Sequence, residues 1–155
     1  MTLYLVPMDE PSYRATLAEP LDLNGWENRP ADFPVTARVW GVRTDPAQGS
    51  WERNRRTWKR MESDEPLLFY LNGTGEFVAY GRIGVRCETD YIRDEYWNGG
   101  PAISVYTVQE YDDSVSMGLA EAKSILGYED GFVLRGTHRV SEDRPVDRLL
   151  RKATS

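Results

Sequence analysis

Two tryptophans occupy settings in which an aromatic ring can meet a ligand. Trp40 lies near the end of the alternating run Val35 to Val42 and is followed by Gly41, where the missing Cβ lets backbone approach a bound molecule closely. Trp97 stands beside Asn98, Gly99 and Gly100 in a turn-rich stretch, and a large ring on a loop needs something to pack against. Groups for bond-making chemistry are scarce by comparison. Cys87 is the only cysteine and His138 the only histidine, which leaves no set of soft ligands for a structural zinc site. A Cys87/His138 nucleophilic pair is formally open, but Cys87 falls in the strand-like run Gly81 to Cys87, where a small buried side chain is the commoner role. There is no Gly-rich phosphate loop, GxSxG elbow or HExxH. The expectation is a binding protein with no catalytic residue, no metal and no cofactor.

The charge pattern qualifies that expectation. A net charge of −6 over 155 residues, taken as one number, argues against a nucleic-acid partner. Its distribution is uneven: residues 51–61 sum to +4 and 131–155 to +3, against −3 for 1–50 and −10 for 62–130. Sixteen of the nineteen basic residues are Arg, whose planar fork suits phosphate. A GC-rich or salt-adapted genome produces the same bias. No apolar run approaches the roughly 18 to 20 residues that span a bilayer. The amino terminus MTLYLVPMDEP has neither a basic start nor a cleavable apolar stretch. A cytoplasmic protein with no membrane partner is expected, with a single domain over 1–150 and a tail at 151–155.

The elements that must hold these residues read as follows. Thr2 to Val6 predicts a strand; Asp9, Pro11 and Ser12 open a short helix through about Ala18, and Pro20 ends it. Asp22 to Pro34 is a loop with Trp26 tucked against the core, and Val35 to Val42 is a strand. A helix follows from Trp51 to about Met61, with Ser50 as its N-cap. At 100° per residue, Trp51, Asn54, Trp58 and Met61 form a packing stripe, while Arg53, Arg56, Lys59 and Arg60 lie opposite. Pro66 to Leu71 and Glu76 to Arg86 pair as a hairpin through Asn72-Gly73-Thr74-Gly75. The acidic stretch Glu88 to Gly100 reads as irregular, Ala102 to Val108 as a strand, and Val115 to Leu126 as a helix stopped by Gly127. Phe132 to Val140 reads as a closing strand before a basic tail. Hairpins with segregated helices predict an α+β domain with a curved, mostly antiparallel sheet or small barrel.

The order Arg38-Val39-Trp40-Gly41-Val42, the helix with Asn54 to Met61, Leu67-Leu68-Phe69-Tyr70, Asn72 to Phe77, Ala79 to Ile83, then Trp97 shortly before Ile103 to Val108 resembles the YTH domain and its EVE relatives in the PUA-like superfamily. The resemblance spans roughly residues 1 to 148. It implies an open β-barrel of about six strands flanked by about three helices, with aromatic walls clamping a methylated base. It places Trp40 and Trp97 as those walls, the Gly41 carbonyl as acceptor for an exocyclic N–H, and Met8 and Asp9 where a side chain reads the base edge. Asp9 fits a helix N-cap equally well. Backbone phosphates would fall to Arg53, Arg56, Lys59 and Arg60, and to Arg135, Arg139, Arg144 and Arg148. The loop before Trp97 is shorter than in YTH domains and carries Asp90, Asp94 and Glu95, which repel phosphate. The implied partner is double-stranded DNA bearing N6-methyladenine or a modified cytosine, as in reader modules of McrB-type restriction or defence systems. A nuclease or AAA+ motor would then lie in a partner subunit or further domain. A modified base in RNA, or a protein docked on the aromatics, is the alternative.

Overall fold

The computed structural model describes residues 1–155. In chain order the elements are β1 (Tyr4–Met8), α1 (Glu10–Thr16), β2 (Leu21–Asp22), β3 (Thr36–Arg43), α2 (Trp51–Arg60), β4 (Pro66–Leu71), β5 (Glu76–Glu88), α3 (Tyr91–Tyr96), β6 (Ala102–Asp112), β7 (Met117–Gly118), α4 (Leu119–Leu126), β8 (His138–Arg139) and α5 (Val146–Ala153). The class is α+β, as the sequence predicts, with eight strands and five helices in place of about six and about three. The sheet is open: its hydrogen-bonded order ends on β2 at one side and on β8 at the other. No helix is long and apolar enough to cross a membrane.

Contacts group the chain into two compact units, with β5 and β6 running through both. The first unit holds Met1–Asp9, Glu65–Arg82 and Glu110–Ser155. Here β1 runs parallel to β4 and antiparallel to β8, and β4 forms the expected hairpin with β5. Gly73 and Gly75 adopt φ of 85° and 75°, so the glycines of that turn carry the left-handed backbone that a Cβ would strain. The core gathers Leu3, Leu5, Leu68, Phe77, Leu126 and Leu149, each removed from water almost completely. A large apolar side chain so buried contributes about 1.5–3 kcal/mol.

Three expectations for this unit are corrected. Residues expected as a basic tail form α5, because Val146, Leu149, Leu150 and Ala153 recur at helical spacing and turn one face to the core. Residues 151–153 are the last turn of that helix. The closing strand expected over Phe132 to Val140 shrinks to His138–Arg139. The backbone before it is drawn elsewhere: Lys123 Nζ takes the carbonyls of Asp130 and Phe132 at 2.8 and 3.3 Å, and the Phe132 ring stacks on Tyr128 at 4.4 Å.

The second unit holds Glu10–Asp64 and Ile83–Gln109. Its strand order is β2, β3, β6, β5, all antiparallel where register is defined, with Trp40 opposite Tyr106 and Gly41 opposite Val105. Leu21, Leu23, Trp26, Phe33, Val39 and Ile92 fill its core. Helix α2 forms where the sequence predicts, burying Trp58. Ser50 holds the N-cap position, its carbonyl accepting the Asn54 N–H at 3.0 Å, but at φ 64° its side chain makes no capping hydrogen bond. At the other end, Arg86 Nη1 donates to the carbonyls of Trp58 and Lys59 at 2.8 and 3.0 Å, closing the helix. The acidic stretch expected to be irregular contains α3, anchored by the fully buried Ile92.

Two measurements probe the first unit. Leu149→Ala is expected to cost about 2–5 kcal/mol of unfolding free energy, whereas Arg148→Ala on the exposed side of α5 stays within about 0.5 kcal/mol; denaturant titration of both checks the docking of α5. His138 Nε2 lies 2.8 Å from the Tyr128 hydroxyl, and burial first, then the Arg144 cation, push the imidazole pKa down. The neutral form is therefore favoured in the fold. Its stabilisation is complete above the unfolded-state value of about 6.5 and is lost as pH falls through the lower folded value. Unfolding free energy is expected to drop between about pH 7 and about pH 5 more steeply in the wild type than in His138→Gln. Parallel pH profiles would contradict this.

Candidate functional site

The two tryptophans singled out by the sequence come together within the second unit. Their ring centroids lie 5.9 Å apart and the planes meet at 70°, an edge-to-face pair. Gly41 makes the meeting possible. A Cβ added there would stand 3.1 Å from Cη2 and Cζ3 of Trp97 and 3.2 Å from the Ala102 Cβ, so the Trp97 ring lies against backbone that any other residue would cover. Trp40 is 7 % exposed and Trp97 half-buried. The rings touch one another and leave no gap between parallel walls, so a base clamped on both faces requires Trp97 to move.

Around Gly41 the edge of β3 is open. In an antiparallel strand, alternate residues direct their N–H and C=O groups to opposite neighbours. Leu23 N–H donates to the Val35 carbonyl at 2.7 Å and Thr44 N–H to the Pro101 carbonyl at 3.1 Å, so odd-numbered residues of β3 face away from β6. On that side β2 reaches only Thr36 and Ala37. The Val39 carbonyl accepts the Thr16 hydroxyl at 2.6 Å, and the Arg43 carbonyl accepts Asn54 Nδ2 at 2.9 Å. By the same alternation the Gly41 carbonyl projects on this side, between those of Val39 and Arg43.

Two energies of similar size act on the closed ring pair. An edge-to-face aromatic contact contributes about 0.5–1.5 kcal/mol beyond area burial. Against it, Trp97 Nε1 is buried without a hydrogen-bond partner, and an orphaned buried donor costs about 1–3 kcal/mol. The ring is held in place by its segment. Trp97 N–H and Gly99 N–H both donate to the Arg93 carbonyl at 3.0 and 3.1 Å, and Arg93 Nη1 reaches Asp45 Oδ2 at 2.8 Å. Sequence reasoning missed Arg93 and Asp45, since an ion pair 48 residues apart leaves no local pattern.

Helix α2 is braced from below. Arg55 grips Glu88 through two hydrogen bonds of 3.0 and 2.7 Å, and this grip holds the Glu88 carboxyl below the usual carboxylate range. Ser104, fully buried, donates to Glu88 at 3.3 Å and lies 2.5 Å from the Thr44 hydroxyl. Arg53, Arg56, Lys59 and Arg60 are exposed on α2 and none forms an ion pair. A cleft of about 580 Å³ elsewhere in this unit, walled by Trp26 and Tyr91, carries Glu27, Glu88, Asp90 and Asp94, charges that exclude a phosphate chain.

The remaining expected site residues divide. Met8 belongs to the first unit and is 0 % exposed, so its side chain is core rather than a reader of a base edge. Asp9 follows β1 in the same unit, half-buried and engaged in a polar interaction. Arg135 and Arg148 are exposed. Arg139 and Arg144 are structural. Arg139 is half-buried and reaches the Thr2 hydroxyl at 3.4 Å; Arg144 donates to the Leu126 carbonyl at 2.8 Å and lies 4.0 Å above the Tyr128 ring.

No protein-family model and no curated protein matches the chain. Solved structures do, at full length. The N-terminal domain of Thermococcus gammatolerans McrB, solved bound to m5C DNA, superposes with a TM-score of 0.67 at 13 % identity, covering 100 % of both chains. The YTH domain of Zygosaccharomyces rouxii MRB1, solved with N6-methyladenosine RNA, gives 0.60 at 12 % identity over 97 % of this chain and 84 % of its own. The Pho92 YTH domain, solved with m6A, gives 0.61 at 10 % identity over 99 % and 84 %. The chain has the fold these domains share.

The contact on Gly41 can be tested without a ligand. Gly41→Ala is expected to displace the Trp97 ring, altering near-UV circular dichroism, and to cost about 1–3 kcal/mol through overpacking. An unchanged spectrum and stability would contradict the close approach.

Proposed function

We propose, from the fold shared with the McrB N-terminal and YTH domains, that this protein reads a modified base in nucleic acid, and that its substrate is double-stranded DNA. The observation that carries the reading is the meeting of Trp40 and Trp97 over Gly41 beside an open strand edge. The preference for DNA is supported by the DNA-bound McrB domain, which superposes better and over its whole length, 0.67 against 0.60 and 0.61 for the two RNA readers.

The energetics favour two walls over one. Flipping a base out of a duplex costs a few kcal/mol, and stacking on one aromatic ring returns about 1–3 kcal/mol. Trp40 alone leaves the balance near zero or below. Trp97, swung off Gly41 to the other face of the base, supplies the second return and uncovers the Gly41 carbonyl for an exocyclic N–H. A methyl group adds about 0.8 kcal/mol of buried apolar surface, roughly fourfold in affinity, which sets the order of discrimination. N6-methyladenine and C5-methylcytosine both fit this scheme. The exposed cations Arg53, Arg56, Lys59 and Arg60 on α2 take the phosphates, with Arg135 and Arg148 as further candidates. The role is binding, with chemistry on the DNA left to a nuclease or AAA+ motor in a partner or further domain.

Titration of matched duplexes, methylated and unmethylated, tests the reading. Methylated DNA is expected to bind about fourfold or more tightly, and Trp40→Ala to weaken it by about five- to 150-fold. Replacing Arg53, Arg56 and Arg60 together by Gln lowers affinity for both duplexes alike and flattens the salt dependence. Equal binding of every duplex by wild type and Trp40→Ala would end the proposal; tighter binding of the matched RNA strand would move it to RNA.

A further inference from the structure

Trp97 is tied to Gly41 by two contacts between the same two segments. Four residues before each partner of the ring contact on one segment, and four after on the other, stand Arg93 and Asp45, whose side chains meet at 2.8 Å. We propose that the Arg93–Asp45 ion pair is a latch that sets how often Trp97 lies closed on Gly41, which makes both of them positioning residues for the aromatic site. The purpose of the latch rests on the reader proposal above, while its existence is testable without any nucleic acid.

The two ends of the latch are held differently. Asp45 is fixed: its N–H and that of Thr44 donate to the Pro101 carbonyl at 3.0 and 3.1 Å, and its Oδ1 accepts the Ala47 N–H at 2.9 Å. Arg93 reaches Asp45 from the short helix α3 through its long side chain, and its carbonyl holds the backbone of Trp97 and Gly99. Whatever shifts Arg93 therefore shifts the ring. Between Trp97 and the fixed Pro101 lie Asn98 and Gly99 with φ of 52° and 72°, a left-handed pair suited to a hinge.

Opening leaves the Arg93 guanidinium paired and hands the partly exposed Asp45 carboxylate to water. Arg93 Nε lies 3.0 Å from Asp94 and Nη2 4.0 Å from Asp90, and both carboxylates belong to the same α3 segment as Arg93. A guanidinium leaving Asp45 keeps these two partners. Opening also frees Trp97 Nε1, the buried donor that has no partner in the closed state. Closed and open states thus differ by little more than one ion pair, 20 % and 28 % exposed at its two ends, and one ring contact. Such a balance suits a gate.

The test uses the whole chain labelled with 5-fluorotryptophan, whose fluorine spectrum gives one line per indole; Trp97→Phe assigns the Trp97 line by its loss. Asp45→Asn removes the charge and retains an oxygen for the Ala47 N–H. It is expected to raise the open population roughly five- to tenfold, moving the Trp97 line toward the solvent-exposed position while the lines of Trp26, Trp51 and Trp58 stay put. Arg93→Gln, breaking the pair from the other side, moves the same line, and Arg93→Lys, which keeps the charge, holds it near its wild-type place. A Trp97 line unmoved in both Asp45→Asn and Arg93→Gln overturns the latch. With a methylated duplex, the association rate of Asp45→Asn is expected to rise by a similar factor; an unchanged rate in a protein that binds also overturns it. Failure of every variant, wild type included, to bind DNA counts against the reader proposal alone, because the fluorine spectra still decide the latch.

Discussion

A glycine in the middle of a strand lets an indole lie on bare backbone, and the arrangement of the second unit follows from that contact. With a side chain at position 41, the Trp97 ring would stand off β3 and its edge would not reach Trp40. The neighbouring segments frame that contact. Strand β2 stops at Asp22, leaving β3 open beside Gly41. Thr16 and Asn54 satisfy the carbonyls on either side of that opening, so one acceptor is presented between two that are spent. Buried main-chain groups are nearly always paired, and an acceptor set apart in this way beside two aromatic rings is what a planar ligand with an N–H on its edge would use.

Electrostatics sort the surface of the same unit. Helix α2 keeps its inner cation, Arg55, occupied with Glu88 and leaves its outer cations exposed to solvent. The acidic residues around α3 divide between Arg93 and the cleft by Trp26 and Tyr91. A net charge of −6 is thus compatible with a local field that draws phosphate, because Arg53, Arg56, Lys59 and Arg60 share one face of α2 with a single acid, Glu52.

The parts legible in the sequence were those with a local physical cause. The turn Asn72 to Gly75 requires left-handed backbone and announces its hairpin; α2 shows its apolar stripe; Gly127 stops α4 with φ 77°. Trp40 and Gly41 stood out for the same reason, a large ring next to a missing Cβ. Helix α3 was hidden because six residues with a single fully buried side chain carry too little periodicity to separate from a loop. Helix α5 left a signal, Val146, Leu149, Leu150 and Ala153, but its Arg and Lys residues dominated the composition. Position 8 departs from its expected role because β1 runs on through Met8 instead of ending at Val6, and the side chain is buried in the core. The edge-to-face angle of the indoles and the pairing of Arg93 with Asp45 depend on segments folded together from far apart, and no spacing encodes them.

The account stands on a flipped base finding Trp40 and the Gly41 carbonyl once Trp97 has moved aside. A crystal structure with a short duplex carrying one methylated base measures this directly. The expected result is that base outside the helix, stacked on Trp40, its exocyclic N–H within hydrogen-bond distance of the Gly41 carbonyl, with Trp97 on its other face. A duplex bound with every base paired, or held on another face with Trp97 still lying on Gly41, would contradict it.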